Sequence, residues 1–335
     1  MPVLAAYIGY SGVSTALETQ DGTFSFQRFP YAYSYELFSS VCDDKFFYKQ
    51  VLENVAKENK VKIEECDILL TGFINFPIPE GLNVKLTMDV KDVISKHEAD
   101  YPVMVDESLI LTKEKVLSHV PVDYINNNEY YANLSIYPQL ITRDYEQQVS
   151  LDGLIIDKVK KAGINLTSDK PIVFTGDRFA RKDYEPVFKY ALALDLFSSP
   201  GCYYVKIDRN NAVILAQLIK EYNQSFGDID TSGVIEDVGT YILSPGITEV
   251  LVSTTSDTGQ FFDIKKDFVF IVPVDNSLVT KMNLKNKCIG NIDGVVSGGK
   301  LGLLFDTREE RSQLISDIKI MNSFMREIEE VVRGI

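Results

Sequence analysis

The apolar and turn-forming residues among the first thirty positions have the pattern of a β-meander. An apolar run predicts a strand over residues 3–8, and two further strands are predicted over residues 13–18 and 23–29. A glycine-containing turn separates the first two strands, and Asp21-Gly22 separates the second from the third. Asp-Gly is a common hairpin turn because it tolerates positive φ, so we expect the three strands to be antiparallel neighbours.

The pattern then changes from a strand period to a helical one. Phe47, Val51, Val55 and Ala56 share one helical face, and an apolar strand over residues 68–70 follows. Three strands, a helix and a further strand resemble one ribonuclease-H-like lobe, the building block of actin-like ATPases. We assign this lobe to residues 1–122.

The same local plan recurs about a hundred residues later. The strand ending in Thr71-Gly72 has a counterpart in a strand over residues 172–174 that ends in Thr175-Gly176. Strands and helices alternate from there to residue 222, as a parallel sheet requires. We therefore predict an α/β fold with a second ribonuclease-H-like lobe at residues 123–222. A ligand is expected where the strand ends of the two lobes face each other.

Two further segments complete the predicted organisation. Short strand patterns separated by turn residues indicate a separate small β-domain, a sandwich or barrel, at residues 233–306. Residues 307–335 are predicted to form a C-terminal helix that begins with a capping box of Thr307 and Glu310. Its apolar seam fits packing on the protein's own core or pairing with a second copy or partner.

Composition limits the classes of function. The formal net charge is −14, and no Lys/Arg cluster is present, which argues against nucleic acid and anionic membranes as partners. No apolar run reaches the ~18 to 20 residues of a membrane span, so we expect a cytoplasmic protein without membrane insertion. The four cysteines are widely spaced and only two histidines occur, so we expect neither a metal site nor a histidine-dependent catalytic centre.

Several runs in the second half resemble the glutamate mutase accessory family MutL, which is unrelated to mismatch repair. The more specific match is the closing motif Gly298-Gly299-x-x-Gly-Leu-x-x-Asp306-Thr307-Arg308. The other matching runs are residues 175–178, 191–197, 199–201 and 205–208. The resemblance implies an actin-like ATP-binding core with a C-terminal β-domain, in a protein that assists a cobalamin-dependent mutase.

The chain departs from that family at the nucleotide positions. An actin-like first phosphate loop begins with an aspartate that holds magnesium through water, and Tyr7 stands there in this chain. The second phosphate loop has no counterpart, and the adenosine-contacting glycine pair is reduced to Gly176-Asp177. Without the magnesium carboxylate, phosphoryl transfer loses a main source of charge stabilisation, which argues against an ATPase.

These observations favour a noncatalytic actin-like protein, a pseudo-ATPase, that serves as scaffold or assembly partner of another protein. The alternatives are an active ATP-dependent chaperone or reactivase of a mutase, with Asp152 or Asp157 near magnesium, and an actin-like filament or pilus-platform protein. We expect no cofactor, with Mg-ATP as the alternative ligand. The candidate ligand-binding residues are Gly9, Ser11, Gly12, Gly176, Asp177 and Arg178. For Gly298, Gly299, Asp306, Thr307 and Arg308 we predict a structural role at the corner before the C-terminal helix.

Overall fold

The computed structural model of the chain describes residues 1–9, 12–30, 47–72, 78, 80–96, 103–105, 171–176, 197, 199–254, 259–274 and 279–309. The predicted helix over residues 153–161, the predicted helix over residues 186–197 except its last residue, and the predicted C-terminal helix beyond residue 309 lie outside this part. Within it, strands of three sheets and three α-helices form a mixed α/β structure.

The first sheet contains the predicted meander. Its strands are β1 (Val3–Ile8), β2 (Gly12–Glu18), β3 (Phe24–Pro30), β4 (Asp67–Gly72) and β5 (Val84–Asp89). The strand order is β3-β2-β1-β4-β5. The pairs β1–β2 and β2–β3 are antiparallel, while β4 runs parallel to both β1 and β5. The four strands predicted in this region, β1 to β4, are therefore confirmed.

Helices cover both faces of this sheet. Helix α1 (Phe47–Glu58) lies on one face, and α2 (Val90–Ser95) and α3 (Ala212–Tyr222) lie on the other. The sequence placed α3 in the second lobe, but Leu215 and Ile219 pack in one cluster with Leu69 of the first sheet. Every residue from Ala212 to Ile219 is buried, so the helix has no polar face to show which sheet it joins.

Ten strands follow the first sheet in the described residues. They are β6 (Val103–Val105), β7 (Ile172–Phe174), β8 (Gly201–Asp208), β9 (Ile235–Leu243), β10 (Thr248–Thr254), β11 (Gln260–Ile264), β12 (Val269–Val272), β13 (Thr280–Asn286), β14 (Gly290–Val296) and β15 (Leu303–Asp306). The second sheet has the order β12-β15-β9-β8-β7-β6, with β6, β7 and β8 mutually parallel and β9 antiparallel to β8.

The third sheet is antiparallel and has the order β11-β10-β13-β14. Val250 and Leu284 of its inner face pack on Ile242 and Phe305 of the second sheet, which makes a two-layer sandwich. The second sheet thus takes β9, β12 and β15 from the predicted β-domain and crosses the predicted boundary between residues 222 and 233. The four domain ranges stay predictions. We assigned these ranges from local sequence patterns, which do not show which strands pair with each other.

No helix in the described part of the chain is long and apolar enough to cross a membrane.

Candidate functional site

The turn between β1 and β2 holds two of the predicted ligand-binding residues. The Gly9 N–H donates to the Gly12 carbonyl oxygen at 3.0 Å, which closes the turn. A Cβ atom at Gly12 would lie 2.8 Å from the Phe29 carbonyl oxygen, so the close passage of β3 requires glycine there. Ser11 lies outside the described residues. The turn therefore uses the Gly9 amide internally, and that amide is not directed at a ligand.

Tyr7 stands on β1 at the place where an actin-like loop would carry its aspartate. The side chain is completely buried and belongs to the apolar cluster between the sheet and α3. Its strand neighbours in register are Ser14 on β2 and Thr71 on β4. The position that the sequence resemblance aligns with a magnesium-binding aspartate therefore carries an aromatic ring in the core.

Asn211 links the first and second sheets at the start of α3. Its side-chain oxygen accepts a hydrogen bond from the Gly176 N–H at 2.9 Å, and its side-chain nitrogen donates to Ser14 Oγ at 3.0 Å. The residue is fully buried and has a left-handed backbone with φ of 54°, a conformation that asparagine tolerates better than most residues. One carboxamide therefore joins the end of β7 to β2.

Asp208 ends β8 and caps α3 from three residues before its cap position. One carboxylate oxygen accepts from Asn210 N at 3.2 Å and Ala212 N at 2.9 Å. The other accepts from Val213 N at 2.9 Å and from Thr175 Oγ1 at 3.1 Å. The positive end of the α3 dipole, where an external anion could bind, is thus already occupied by a carboxylate of the chain itself.

Burial governs the titration of Asp208. The side chain is completely buried, and this desolvation raises the pKa of its carboxyl group above the ordinary value. The hydrogen bonds from Val213, Ala212, Thr175 and Asn210 act in the opposite direction because they stabilise the ionised form. Both oxygens of the Asp208 carboxylate therefore have hydrogen-bond donors, but its ionised form still bears a desolvation cost.

At one junction the structure links Gly176, from one half of the predicted site, to β2, the strand that begins with Gly12 of the other half. Gly176 reaches Ser14 through Asn211, and Ser14 is two residues from Gly12. Asp177 and Arg178 lie outside the described residues. Sequence reasoning did not single out Asn211 or Ser14. The signal that could have found Asn211 is a pair of cap-type residues, Asp208 and Asn211, directly before an apolar helix.

The described cysteines do not form a reactive centre. Burial raises the pKa of the Cys202 thiol to about 11, and burial together with the nearby Asp67 and Glu65 raises that of Cys66 to about 11. Cys288 is exposed. Since a thiol with such a pKa is protonated at neutral pH, neither Cys66 nor Cys202 is a nucleophile there. Among the described residues, no three histidine, cysteine or acidic side chains gather in a metal-binding arrangement.

Asp306, Thr307 and Arg308 form a buried corner at the end of β15. The Asp306 carboxylate accepts from Tyr241 Oη at 2.6 Å and from two nitrogens of the Arg308 guanidinium at 2.8 and 2.7 Å. The Thr307 hydroxyl donates to the Lys265 carbonyl oxygen at 2.7 Å and accepts from the Phe268 N–H at 2.9 Å. The Thr307 hydroxyl thus ties β15 to the turn before β12, whereas Glu310, its predicted capping partner, lies outside the described residues.

The glycines of the closing motif lie in close contact with neighbouring residues, Gly299 and Gly302 against backbone and Gly298 against the Val274 side chain. A Cβ atom at Gly299, where φ is 51°, would lie 2.3 Å from Gly239 N on β9. One at Gly298 would lie 2.8 Å from the Val274 Cβ, and one at Gly302 would lie 2.2 Å from the Val272 carbonyl oxygen. These distances are too short for an added Cβ atom, so close packing favours glycine at all three positions, against backbone at Gly299 and Gly302.

The sequence matches no protein-family model and none of the curated proteins compared with it. Among solved structures, the chain is similar to the activator of the 2-hydroxyisocaproyl-CoA dehydratase from Clostridium difficile with bound ADPNP. The two chains are 9% identical, the similarity covers 69% of this chain and 99% of that one, and the TM-score is 0.37. A similarity with this TM-score carries no conclusion about the fold or function of the chain.

Proposed function

We propose that the chain is a noncatalytic member of the actin-like superfamily, a pseudo-ATPase that serves as scaffold or assembly partner of another protein. The arrangement of the first sheet supports the superfamily assignment, because a three-stranded meander is followed by a helix and two parallel strands on the far side of β1. The observation that carries the noncatalytic assignment is Tyr7, a wholly buried ring where the magnesium-binding aspartate would stand.

Among the described residues, the main-chain N–H groups that could replace the missing phosphate contacts are already hydrogen-bonded within the protein. The Gly9 N–H closes its own turn, and the first N–H groups of α3 donate to Asp208. The Gly176 N–H is taken by Asn211. A phosphate at this junction would have to displace internal hydrogen bonds and approach the Asp208 carboxylate, so binding would lose more than it gains.

A titration calorimetry experiment with Mg-ATP tests the noncatalytic assignment. We expect no saturable heat up to ~1 mM nucleotide, which corresponds to less than about 4 kcal/mol of binding free energy. Micromolar affinity together with turnover would overturn the proposal and favour the ATP-dependent chaperone or reactivase. Ser14→Ala is the matched variant, since a binding signal that this change removes would arise at the junction and not elsewhere.

The scaffold role predicts a stable complex with a different protein rather than self-assembly. Affinity capture from the native host followed by reconstitution from purified components tests it, with one stoichiometric complex as the expected result. Head-to-tail filaments in electron micrographs of the isolated chain would instead favour the filament-forming alternative.

A further inference from the structure

Strand β14 is the outer strand of the third sheet and is exposed for most of its length. Five of its seven residues are exposed, and within the described residues no other strand lies beside its free edge. A Cβ atom added at Gly290 or Gly294 would meet no atom within 4 Å. Because a Cβ atom points out of the sheet, the face of β14 at these two glycines is uncovered in the described part of the molecule.

One hydrogen bond shows which main-chain groups of β14 point outward. The Tyr204 hydroxyl on β8 donates to the Val295 carbonyl oxygen at 3.2 Å, so that oxygen points away from β13. Main-chain groups alternate in direction along an antiparallel strand, so those of Asn291 and Asp293 also face the open edge. Ile292 and Gly294 then bond to β13. The hairpin agrees with this assignment, since its three-residue loop closes at Asn286 and Gly290, with φ of 76° at Gly290.

We propose that the free edge of β14 binds an extended segment of a partner protein as an additional strand, with a basic residue of that segment opposite Asp293. The proposal rests on the scaffold function proposed above and names the surface through which it acts. Asn291 and Asp293 together offer two N–H donors and two carbonyl acceptors, the main-chain pattern that β-strand addition uses. Tyr204 marks the end of the free segment because its hydroxyl already occupies the Val295 carbonyl.

Charge decides between a different protein and a second copy as the occupant. Asp293 is exposed and has no ion-pair partner among the described residues. Two copies of β14 paired antiparallel through both residues of the free segment would place Asp293 opposite Asn291 and diagonal to the second Asp293, so the carboxylate would gain no counter-charge. A lysine or arginine opposite Asp293 is stabilising, and the net charge of −14 attracts a basic segment from a distance. Lys281, the register partner of Val295, disfavours a second basic residue at the other end.

A peptide of defined sequence tests, with the full-length chain, whether the β14 edge prefers a basic residue opposite Asp293. The probe is fluorescein-labelled Thr-Val-Thr-Lys-Thr-Val-Thr, compared with the same peptide carrying glutamate in place of lysine. We expect the lysine peptide to bind with a Kd of ~100 µM and the glutamate peptide at least tenfold more weakly. Asp293→Lys should reverse the preference. Equal affinities for both peptides, no binding of either up to ~1 mM, or an unchanged preference in Asp293→Lys would overturn the proposal.

Residue-resolved amide exchange and a proline substitution test whether the main-chain groups of Asn291 and Asp293 bind the added strand. Peptide binding should slow exchange at the Asn291 and Asp293 N–H groups at least tenfold and leave Ile292 and Gly294 unchanged. Asp293→Pro removes an outward N–H and no bond to β13, so it should abolish binding while the melting midpoint stays close to that of Asp293→Asn. The reverse protection pattern, or full binding by the proline variant, would overturn strand addition. Mg-ATP turnover would contradict the pseudo-ATPase assignment without affecting either result, so the two proposals fail separately.

Discussion

The two Thr-Gly strand ends have the same sequence and different surroundings. After β7, the Thr175 hydroxyl donates to Asp208 at 3.1 Å and the Gly176 N–H donates to Asn211 at 2.9 Å. At the end of β4, the hydroxyl of Thr71 is buried and has no hydrogen-bond partner among the described residues. The two identical dipeptides therefore differ in hydrogen bonding. The Thr175 hydroxyl and the Gly176 N–H have partners, whereas the buried Thr71 hydroxyl has none among the described residues.

The difference comes from residues distant in the sequence. Asp208 and Asn211, which pair the second strand end, lie 33 and 35 residues after Thr175 and Gly176. Thr71 has Tyr7 and Met88 beside it in register, and neither strand places a carboxylate there. A repeated motif thus marks two equivalent positions in the chain, but the neighbouring strands and helices determine what each position can do.

Removing the carboxylate at the paired end should give the largest effect. Asp208→Ala leaves the Thr175 hydroxyl and the N–H groups of Asn210, Ala212 and Val213 without their acceptor inside the protein. Unpaired buried donors cost about 1 to 3 kcal/mol each, partly relieved by relaxation, so we expect a loss of about 3 kcal/mol or more. Urea unfolding followed by circular dichroism measures it. A loss below about 1 kcal/mol would mean that the network does not hold α3 in place.

The same carboxylate should make stability depend on pH with a defined sign. Burial raises the pKa of Asp208 in the folded state above its unfolded value. Between these two pKa values the folded protein binds more protons than the unfolded one, so the Asp208 contribution to stability rises as pH falls through that window. Asp208→Asn does not titrate and serves as the control. The free energy of unfolding of the unaltered protein, minus that of Asp208→Asn, should increase from pH 7 to pH 4.5. A decrease would contradict the raised pKa.

A third strand end provides an independent reference for a paired threonine. Thr307 follows β15, is fully buried, and its hydroxyl bonds to Lys265 O and Phe268 N. Thr307→Ala removes both bonds, and we expect the free energy of unfolding to fall by about 1 to 2 kcal/mol. Thr307→Ser keeps the hydroxyl and is the matched control. Equal melting midpoints for Thr307→Ala and the unaltered protein would show that the corner does not depend on this side chain.

Local patterns predicted the elements better than their partners. Apolar runs between turn residues identified β1 to β4 and β8, and an apolar helical run identified α3, because each has a strong pattern of its own. They did not show that α3 packs on the first sheet, because a helix buried on all sides has no polar face to indicate which sheet it contacts. Three strands of the predicted β-domain, β9, β12 and β15, pair within the second sheet. The sequence pattern could not predict this pairing, because it depends on contacts between residues that are distant in the chain.

The candidate site shows the same limit. The sequence singled out Gly9, Gly12 and Gly176, because turn glycines and strand ends are visible in a single segment, and their ligand-binding role stays a prediction. It did not identify the link from Asn211 to Ser14, which joins residues 197 positions apart. The burial that shifts the pKa of Asp208 also depends on packing and could not be read from its neighbours in the chain.

The paired threonine after β7 should tolerate loss of its hydroxyl less well than its counterpart on β4. Thr175→Val removes one of the four donors to Asp208 and leaves the other three in place. We expect a loss of about 1 to 1.5 kcal/mol, the usual contribution of one hydrogen bond to a buried acceptor. In the Asp208→Ala background the same change should cost less than half as much, because the acceptor is already gone. Additive effects in this double-mutant cycle would contradict direct coupling of the two side chains.

The smallest and most discriminating effect is expected at Thr71. Its hydroxyl is buried without a partner among the described residues, so the folded state bears a desolvation cost that the unfolded state does not. Thr71→Val replaces the hydroxyl with a methyl group of similar size, and we expect the free energy of unfolding to rise by about 0.5 to 1 kcal/mol. Thr71→Ala is the matched control, because it removes the hydroxyl and also leaves a cavity, and it should therefore destabilise. Parallel urea titrations of both variants decide the matter. If Thr71→Val instead lowers stability as much as Thr175→Val does, the Thr71 hydroxyl has a partner in solution, and the two strand ends are more alike than their contacts indicate.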